Sequence, residues 1–319
     1  MIKQDRLVQT LIDLIKIDSP SGEEKAIAQE LKKRFEVLGG SVEIDSLGNL
    51  IVRFGSPPDP PAGGGGGESL LLSAHLDTVE PGRNIQPVIN GDIMTSDGKT
   101  VLGADDKAGI AVILEGITSV KESGGKLVPI EVVLSVDEET GSKGAKGLDH
   151  KKLLSKKAVV FDGDEQVFLV NTAAPGYYGL DMTITGRAAH AGVEPEKGIS
   201  AIKIAADLIT RLRLGRIDEE TTANIGMISG GSARNAVPEK VEIKGEFRSR
   251  NGEKLEKQVK DFENIVLEIR KLYPEAKLDY TLNKHFDSFS IPDDDPFVLE
   301  INKALKDVGL TGQIGRAHV

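Results

Sequence analysis

Three times along this 319-residue chain a short apolar run ends directly in acidic or imidazole side chains. Residues 70–74 lead into His75 and Asp77, residues 130–136 into Asp137, Glu138 and Glu139, and residues 158–161 into Asp162. Runs this short read as buried strands, whereas residues 108–120 carry helical spacing. Strand and helix alternating in this order predict an α/β domain, a mostly parallel sheet covered by helices. In an open sheet of that kind ligands bind outside the carboxyl ends of the strands, so the polar groups at the three run ends are expected in one crevice. Asp105 and Asp106, just before the helix that begins near residue 108, belong to the same edge.

The remainder of the chain divides around this core. Leu7, Val8, Leu11, Ile12 and Ile15 are spaced for one face of a first helix, and Ser21 to Glu24 read as the cap of a second that carries Ala26, Ile27, Leu31, Phe35 and Leu38. Residues 42–54 are strand-like. Residues 56–67, with several prolines and five consecutive glycines, read as an exposed flexible loop. Past Pro175 the pattern becomes β-α-β-β-α-β: alternation at Tyr178, Leu180, Met182 and Ile184, a helix over 198–212, strands over 222–229 and 241–249, a long amphipathic helix through Leu255, Val259, Phe262, Val266 and Ile269, and a last strand through Leu278, Tyr280 and Leu282. That order is a ferredoxin-like split unit. A helix from Pro296 to about residue 308 then returns to the first domain. The expected organisation is one domain from 1–175 and 284–319, interrupted by an inserted α+β domain over 176–283.

Composition removes several classes of function. A net charge of −10 gives no basic field for nucleic acid or anionic lipid. No run reaches transmembrane length, and the charged N-terminus lacks the uninterrupted apolar stretch of a signal peptide. The absence of cysteine excludes disulfides, thiolate nucleophiles and thiolate-bound metals, and fits a reducing, cytoplasmic setting. A metal site must therefore draw on His, Asp and Glu.

Taken singly, each acidic feature has a plain reading. An H-x-D triplet can be a solvated loop, Glu138-Glu139 a charge pair at a helix start, and Asp105-Asp106 a capping pair favoured by the helix dipole. Their combination points elsewhere, because several carboxylates and an imidazole at one sheet edge repel unless cations or protons neutralise them. Two divalent ions are the economical answer, zinc first, with cobalt or manganese able to substitute. His75 and Asp77, two apart on extended backbone, project to the same side, so the carboxylate can orient the imidazole.

The segments S-A-H-L-D-T-V, L-G-A-D-D-K-A-G, V-D-E-E-T-G-S-K-G-A and V-F-D-G, in that order, resemble the dizinc aminopeptidase, carboxypeptidase and deacylase superfamily of clan MH, in particular its peptidase T-like (tripeptide aminopeptidase-like) branch. The resemblance covers nearly the whole chain, including a lid segment A-A-H-A-G-V-E-P-E-K-G. It implies His75 and Asp162 on one zinc, Glu139 on the other, Asp105 bridging both, Asp77 behind His75, and Glu138 as general base. Asp105 is preferred to Asp106 because it stands two residues before Lys107, as in the family's D-x-K-G pattern. In the inserted domain the resemblance implies that His190 donates to the oxyanion, in its own or the partner subunit's site, and that Asn235 and Arg248 bind the substrate's carboxylate. A plain surface histidine and a solvated edge charge are the alternatives for His190 and Arg248. His150 and His285 receive no role.

The expected activity is hydrolysis of the N-terminal bond of short peptides by a homodimer formed through the lid. An N-acyl amino acid amidohydrolase and an inert dimeric binding protein are the rivals. The family continues with a glycine-rich S-D-A-N-type segment and a histidine on the second zinc, neither of which occurs before Val319, and His318 lacks that histidine's flanking residues. Residues 314–319 also translate one frame of a widely used sequencing adapter. The natural protein is therefore expected to be longer, and the chain as written to hold its second ion poorly.

Overall fold

The computed structural model describes residues 1–55, 69–125, 127–163 and 166–316. The glycine-rich stretch 56–67 and His318 lie outside the described residues. The chain divides into two compact units, residues 1–166 and residues 167–319. Among the described residues no helix is long and apolar enough to cross a membrane.

In the first unit α1 (Gln4–Ile15) and α2 (Lys25–Val37) precede a hairpin of β1 (Ser41–Ile44) and β2 (Leu50–Phe54). Residues 42–54, expected as one strand, thus fold back on themselves. The Asp45 carboxylate is the reason: it accepts the N–H groups of Leu47, Gly48 and Asn49 and closes the turn locally. The expected cap at residues 21–24 also differs, since α2 has no side-chain cap. Ser21 Oγ donates instead to Asp77 Oδ2 at 2.7 Å, and Glu24 Oε1 accepts from the backbone of Gly22 and Asp137.

β3 (Leu70–His75) is followed by a small hairpin of β4 (Val88–Asn90) and β5 (Ile93–Thr95), then α3 (Lys107–Glu122), β6 (Ile130–Ser135), the short α4 (Lys143–Gly147) and β7 (Lys157–Val160). The sheet order is β1-β2-β6-β3-β7. The hairpin joins antiparallel, whereas β6, β3 and β7 run parallel. Register sets His75 beside Ser135 and Ser73 beside Val160, so three carboxyl ends coincide at one edge. On α3, Ile110, Ile113, Leu114 and Ile117 follow the i, i+3, i+4, i+7 rule and pack with Leu31, Phe35, Val52, Val132 and Leu134 in one core. Each large apolar side chain so buried contributes about 1.5–3 kcal/mol, which is what fixes the sheet edge in place. Arg6 of α1 pairs with the buried Glu115 of α3 at 2.6 Å.

The second unit contains β8 (Leu169–Asn171), β9 (Ala173–Ala174), β10 (Gly176–Thr185), α5 (Ala201–Ile209), β11 (Gly215–Asp218), β12 (Thr221–Gly230), β13 (Lys240–Ser249), α6 (Gly252–Leu272), β14 (Lys277–Phe286), β15 (Phe289–Ser290), α7 (Pro296–Asp307) and β16 (Gln313–Gly315). Its main sheet, β11-β12-β13-β10-β14, is antiparallel throughout and has the split β-α-β order, with β11 as an extra edge strand. Leu180, Met182, Ile184, Val241, Ile243 and Phe247 alternate inward and pack against Ile204, Leu208, Phe262, Val266 and Ile269 of the two helices. β16 pairs with β8 and β15 with β9. These pairings tie residues 289–315 to 169–174, so the observed division falls at 166/167, whereas the sequence pattern puts one at 175/176 and a return at 284.

Candidate metal centre

The first-unit candidates converge at the carboxyl ends of β3, β6 and β7. His75, the last residue of β3, is buried. Its Nε2 lies 3.1 Å from Asp105 Oδ1, and its Nδ1 lies 3.3 Å from Asp77 Oδ1 in a contact that is not a hydrogen bond. Donor atoms of His75, Asp105 and Glu139 lie within 4.8 Å of one another, as do those of His75, Glu138 and Asp162. All five residues are thus brought together around one imidazole.

Asp77 does not face this opening. It is fully buried, and besides Ser21 it accepts the backbone N–H groups of Glu138 at 2.9 Å and Glu139 at 3.1 Å. One carboxylate therefore ties the β3 end to the loop after β6. That loop is held further by Asp137, which adopts a left-handed conformation (φ 53°) and bonds Lys143 Nζ at 2.6 Å. Ser142 Oγ donates to Glu138 Oε1 at 2.9 Å, fixing one oxygen of that carboxylate.

The two adjacent aspartates, joined by a cis peptide bond, have different surroundings. Asp105 is 71% exposed and points to the imidazole. Asp106 is buried, and its Oδ2 accepts the His75 backbone N–H at 3.1 Å. Gly109, one turn into α3, makes room for this: a Cβ there would lie 2.3 Å from Asp106 Oδ1 and 2.8 Å from the Phe161 carbonyl oxygen. Lys107 is fully buried and donates to the Ile17 carbonyl at 3.0 Å; burial pushes its ammonium down to about 8.

The electrostatics fit a cation. Burial disfavours a charged His75, yet its contact with Asp77 and the charges of Asp162 and Asp106 outweigh this and push the imidazole up to about 10. Burial and the neighbouring Asp162 push the Asp106 carboxyl up to about 8, and burial with the charge of Asp105 raises Glu139. Asp77 is the exception. Burial acts to raise it, but the contact with His75 and the hydrogen bonds from Ser21 and two backbone N–H groups hold it down to about 2. The raised Asp106 and Glu139 carboxyls reflect burial and crowded negative charge at this edge, which suits an oxygen-rich set to divalent ions. An oxygen set with one imidazole and no thiolate fits zinc, cobalt or manganese.

Three further candidates lie in the second unit. His190 is exposed in the loop after β10, bridged to Ala236, and its Nδ1 accepts the Gly192 N–H at 3.2 Å. Asn235 is exposed in the facing loop, where its carbonyl accepts the Ala191 N–H at 2.9 Å. The structure thus brings these two segments together. Arg248 lies on β13, an interior strand of the sheet and not an edge, and its Nη2 donates to Glu246 Oε2 at 3.0 Å. Sequence spacing carried no sign of Ser21 or Ser142, whose partners are 56 residues and four residues away respectively. The signal for Asp106 was its adjacency to Asp105. His285, beyond the expected end of the inserted domain at residue 283, belongs to β14.

Comparison with known proteins matches residues 51–192 to peptidase family M28 and residues 172–274 to a peptidase dimerisation domain of the M20 type. The uncharacterised protein YqjE of Bacillus subtilis is 40% identical over 267 residues, covering 81% of this chain and 70% of its own. Aminopeptidase PepT from Bacillus cereus superposes over the whole chain and 86% of its own, with a TM-score of 0.93 and 37% identity. A tripeptidase from Staphylococcus aureus does so over 99% of this chain and 85% of its own, with a TM-score of 0.90 and 34% identity. Other curated relatives are spanned over about half to two thirds of their length.

Proposed function

The chain belongs to the peptidase T-like family of M20-type metallopeptidases, and from that premise we propose that it releases the N-terminal residue of short peptides, tripeptides among them. The observation that carries this reading is the pair of overlapping donor groups on His75. In this reading His75 and Asp162 would hold one divalent ion, Glu139 the other, and the exposed Asp105 would serve both. Two zinc ions so held would polarise the scissile carbonyl and acidify the attacking water.

The chain's own groups do the rest. Asp77 keeps the imidazole oriented. Glu138, with one oxygen engaged by Ser142, takes the water's proton at the other and delivers it to the leaving amine. Because His190 Nδ1 accepts a hydrogen bond, its neutral ring carries the proton on Nε2, where it can be donated to the developing oxyanion. Arg248, with Asn235, binds the peptide's terminal carboxylate.

A homodimer through the second unit accompanies this reading. β11 covers only Thr221–Ala223 of β12, and among the described residues no strand pairs beyond it along residues 224–230, where Met227 and Ile228 are exposed. Such an edge is satisfied by pairing with a copy of itself. Sedimentation of a dimer at micromolar concentration is the expected result, and a monomer would contradict it.

The activity is tested by comparing a free tripeptide with its N-acetylated form on metal-loaded protein. Release of the first residue from the free peptide alone supports an aminopeptidase. Cleavage of the acetylated form alone makes it an N-acyl amidohydrolase, and no cleavage of either makes it a binding protein.

A further inference from the structure

Arg248 does not stand alone on its face of the sheet. β10 pairs with β13 so that Tyr177 lies opposite Arg248, and with β14 so that Tyr177 lies opposite Phe286 but Tyr178 opposite Lys284. Between those two pairs β14 has one residue more than β10, and that residue is His285. A bulge re-aims the side chain it inserts. Here it lays the imidazole along the Tyr177 ring, with centroids 4.6 Å apart and planes 15° from parallel. The guanidinium carbon of Arg248 is 4.7 Å from the centroid of the same ring.

Two details separate this stack from incidental packing. First, Gly179 leaves the space it needs, because a Cβ there would lie 2.9 Å from His285 Nε2 and 3.5 Å from the Tyr177 hydroxyl. Second, the guanidinium is only partly satisfied: Nη2 is engaged by Glu246, but Nε is buried without a hydrogen-bond partner. A buried donor without an acceptor is costly, so this guanidinium has hydrogen-bonding capacity that its protein neighbours leave unused. A planar fork held against an aromatic ring, with its side chain part-exposed, is suited to a carboxylate.

We propose that Tyr177, braced by the bulged His285, is a positioning residue that holds the Arg248 guanidinium in the plane needed to receive the carboxylate of a bound peptide. The inference rests on the assignment of Arg248 to that carboxylate and adds the device that orients it. The ring makes both contacts, so the hydroxyl is dispensable.

The experiment measures KM and kcat for a tripeptide and for its C-terminal amide. Tyr177→Leu is expected to raise KM for the free acid roughly tenfold, the scale of a desolvated cation–π contact. KM for the amide and kcat for both should stay within about twofold. Tyr177→Phe should restore the wild-type values, and in an Arg248→Ala background Tyr177→Leu should have no further effect. His285→Ala removes the brace without touching the β10–β13 pairing, so it provides a second reading if the leucine variant folds poorly; a smaller KM rise confined to the free acid is expected. If Arg248→Ala discriminates acid from amide but Tyr177→Leu and His285→Ala raise both KM values alike, positioning by Tyr177 is overturned while Arg248 keeps its role. If Arg248→Ala itself fails to discriminate, the carboxylate assignment falls and the positioning role falls with it.

Discussion

Gly109→Ala is a one-carbon change whose effect can be worked from its neighbours. The new Cβ would lie 2.3 Å from Asp106 Oδ1 and 2.8 Å from both the Phe161 Cβ and its carbonyl oxygen. Neither neighbour is free to yield. Asp106 is 3% exposed and accepts the His75 N–H, and Phe161 N donates to the Ser73 carbonyl at 2.8 Å. Overpacking of this kind costs about 1–3 kcal/mol, and a stranded His75 N–H adds about 1–3 kcal/mol. Alanine returns at most about 1 kcal/mol through helix propensity. The net loss is about 1–5 kcal/mol. Gly116, two turns further along α3, has nothing within 4 Å of a Cβ, so the same substitution there should be neutral or stabilise by up to about 1 kcal/mol. At about 2–4 °C per kcal/mol, the two alanine variants should melt on the order of 10 °C apart. Calorimetry on chelator-treated protein measures this, and zinc titration should show weaker binding only for Gly109→Ala, since Asp106 supports the His75 backbone. Melting temperatures within 1 °C of each other would refute the close-approach argument.

Two other outcomes follow from the same centre. Glu138→Ala should leave metal content near wild type and lower turnover by about a hundredfold or more, as for loss of a general base; elemental analysis beside a tripeptide assay checks both halves. Asp77→Asn should destabilise the metal-free protein by about 2–3 kcal/mol at neutral pH, the scale of a carboxyl lowered to about 2 from 3.8. Because a depressed carboxyl stabilises only above its unfolded pKa, the gap to wild type should close as pH falls from about 4 through 2, and urea melts showing a constant gap would assign the loss to packing.

Why some of this was legible in the sequence and some was not has a physical basis. The strands β3, β6 and β7 are mostly apolar apart from single polar residues such as Ser73 and Glu131, so a cluster of acidic groups after each marks its end, and parallel neighbours put those ends together. His75, Glu138, Glu139 and Asp162 were readable as one edge for that reason. The β13 alternation was readable too, because a one-residue slip would have exposed Val241, Ile243 and Phe247. What hydrophobic periodicity did not carry was any decision made by a single polar side chain, whether distant, as Ser21 on Asp77, or close by. Asp45 turned an apparent strand into a hairpin through three hydrogen bonds to its own backbone, with no proline to announce the turn.

His285 shows the limit most sharply. Strict alternation would carry β14 past β10 without interruption, and on that assumption a histidine two residues beyond Asn283 belongs to the connection after the sheet. The strand instead gains one unpaired residue opposite Tyr177/Tyr178. A bulge costs little where the partner strand offers two glycines, and here Gly176 and Gly179 flank the pair of tyrosines. The segment G-Y-Y-G is therefore better read as accommodation for a neighbour than as a weak stretch of strand. Here aromatic residues enclosed by glycines in an interior strand mark the place where a neighbouring strand brings a ring close and where the ring holds a cation. In this chain that sequence of dependencies runs from Gly179 to His285, from His285 to Tyr177, and from Tyr177 to Arg248.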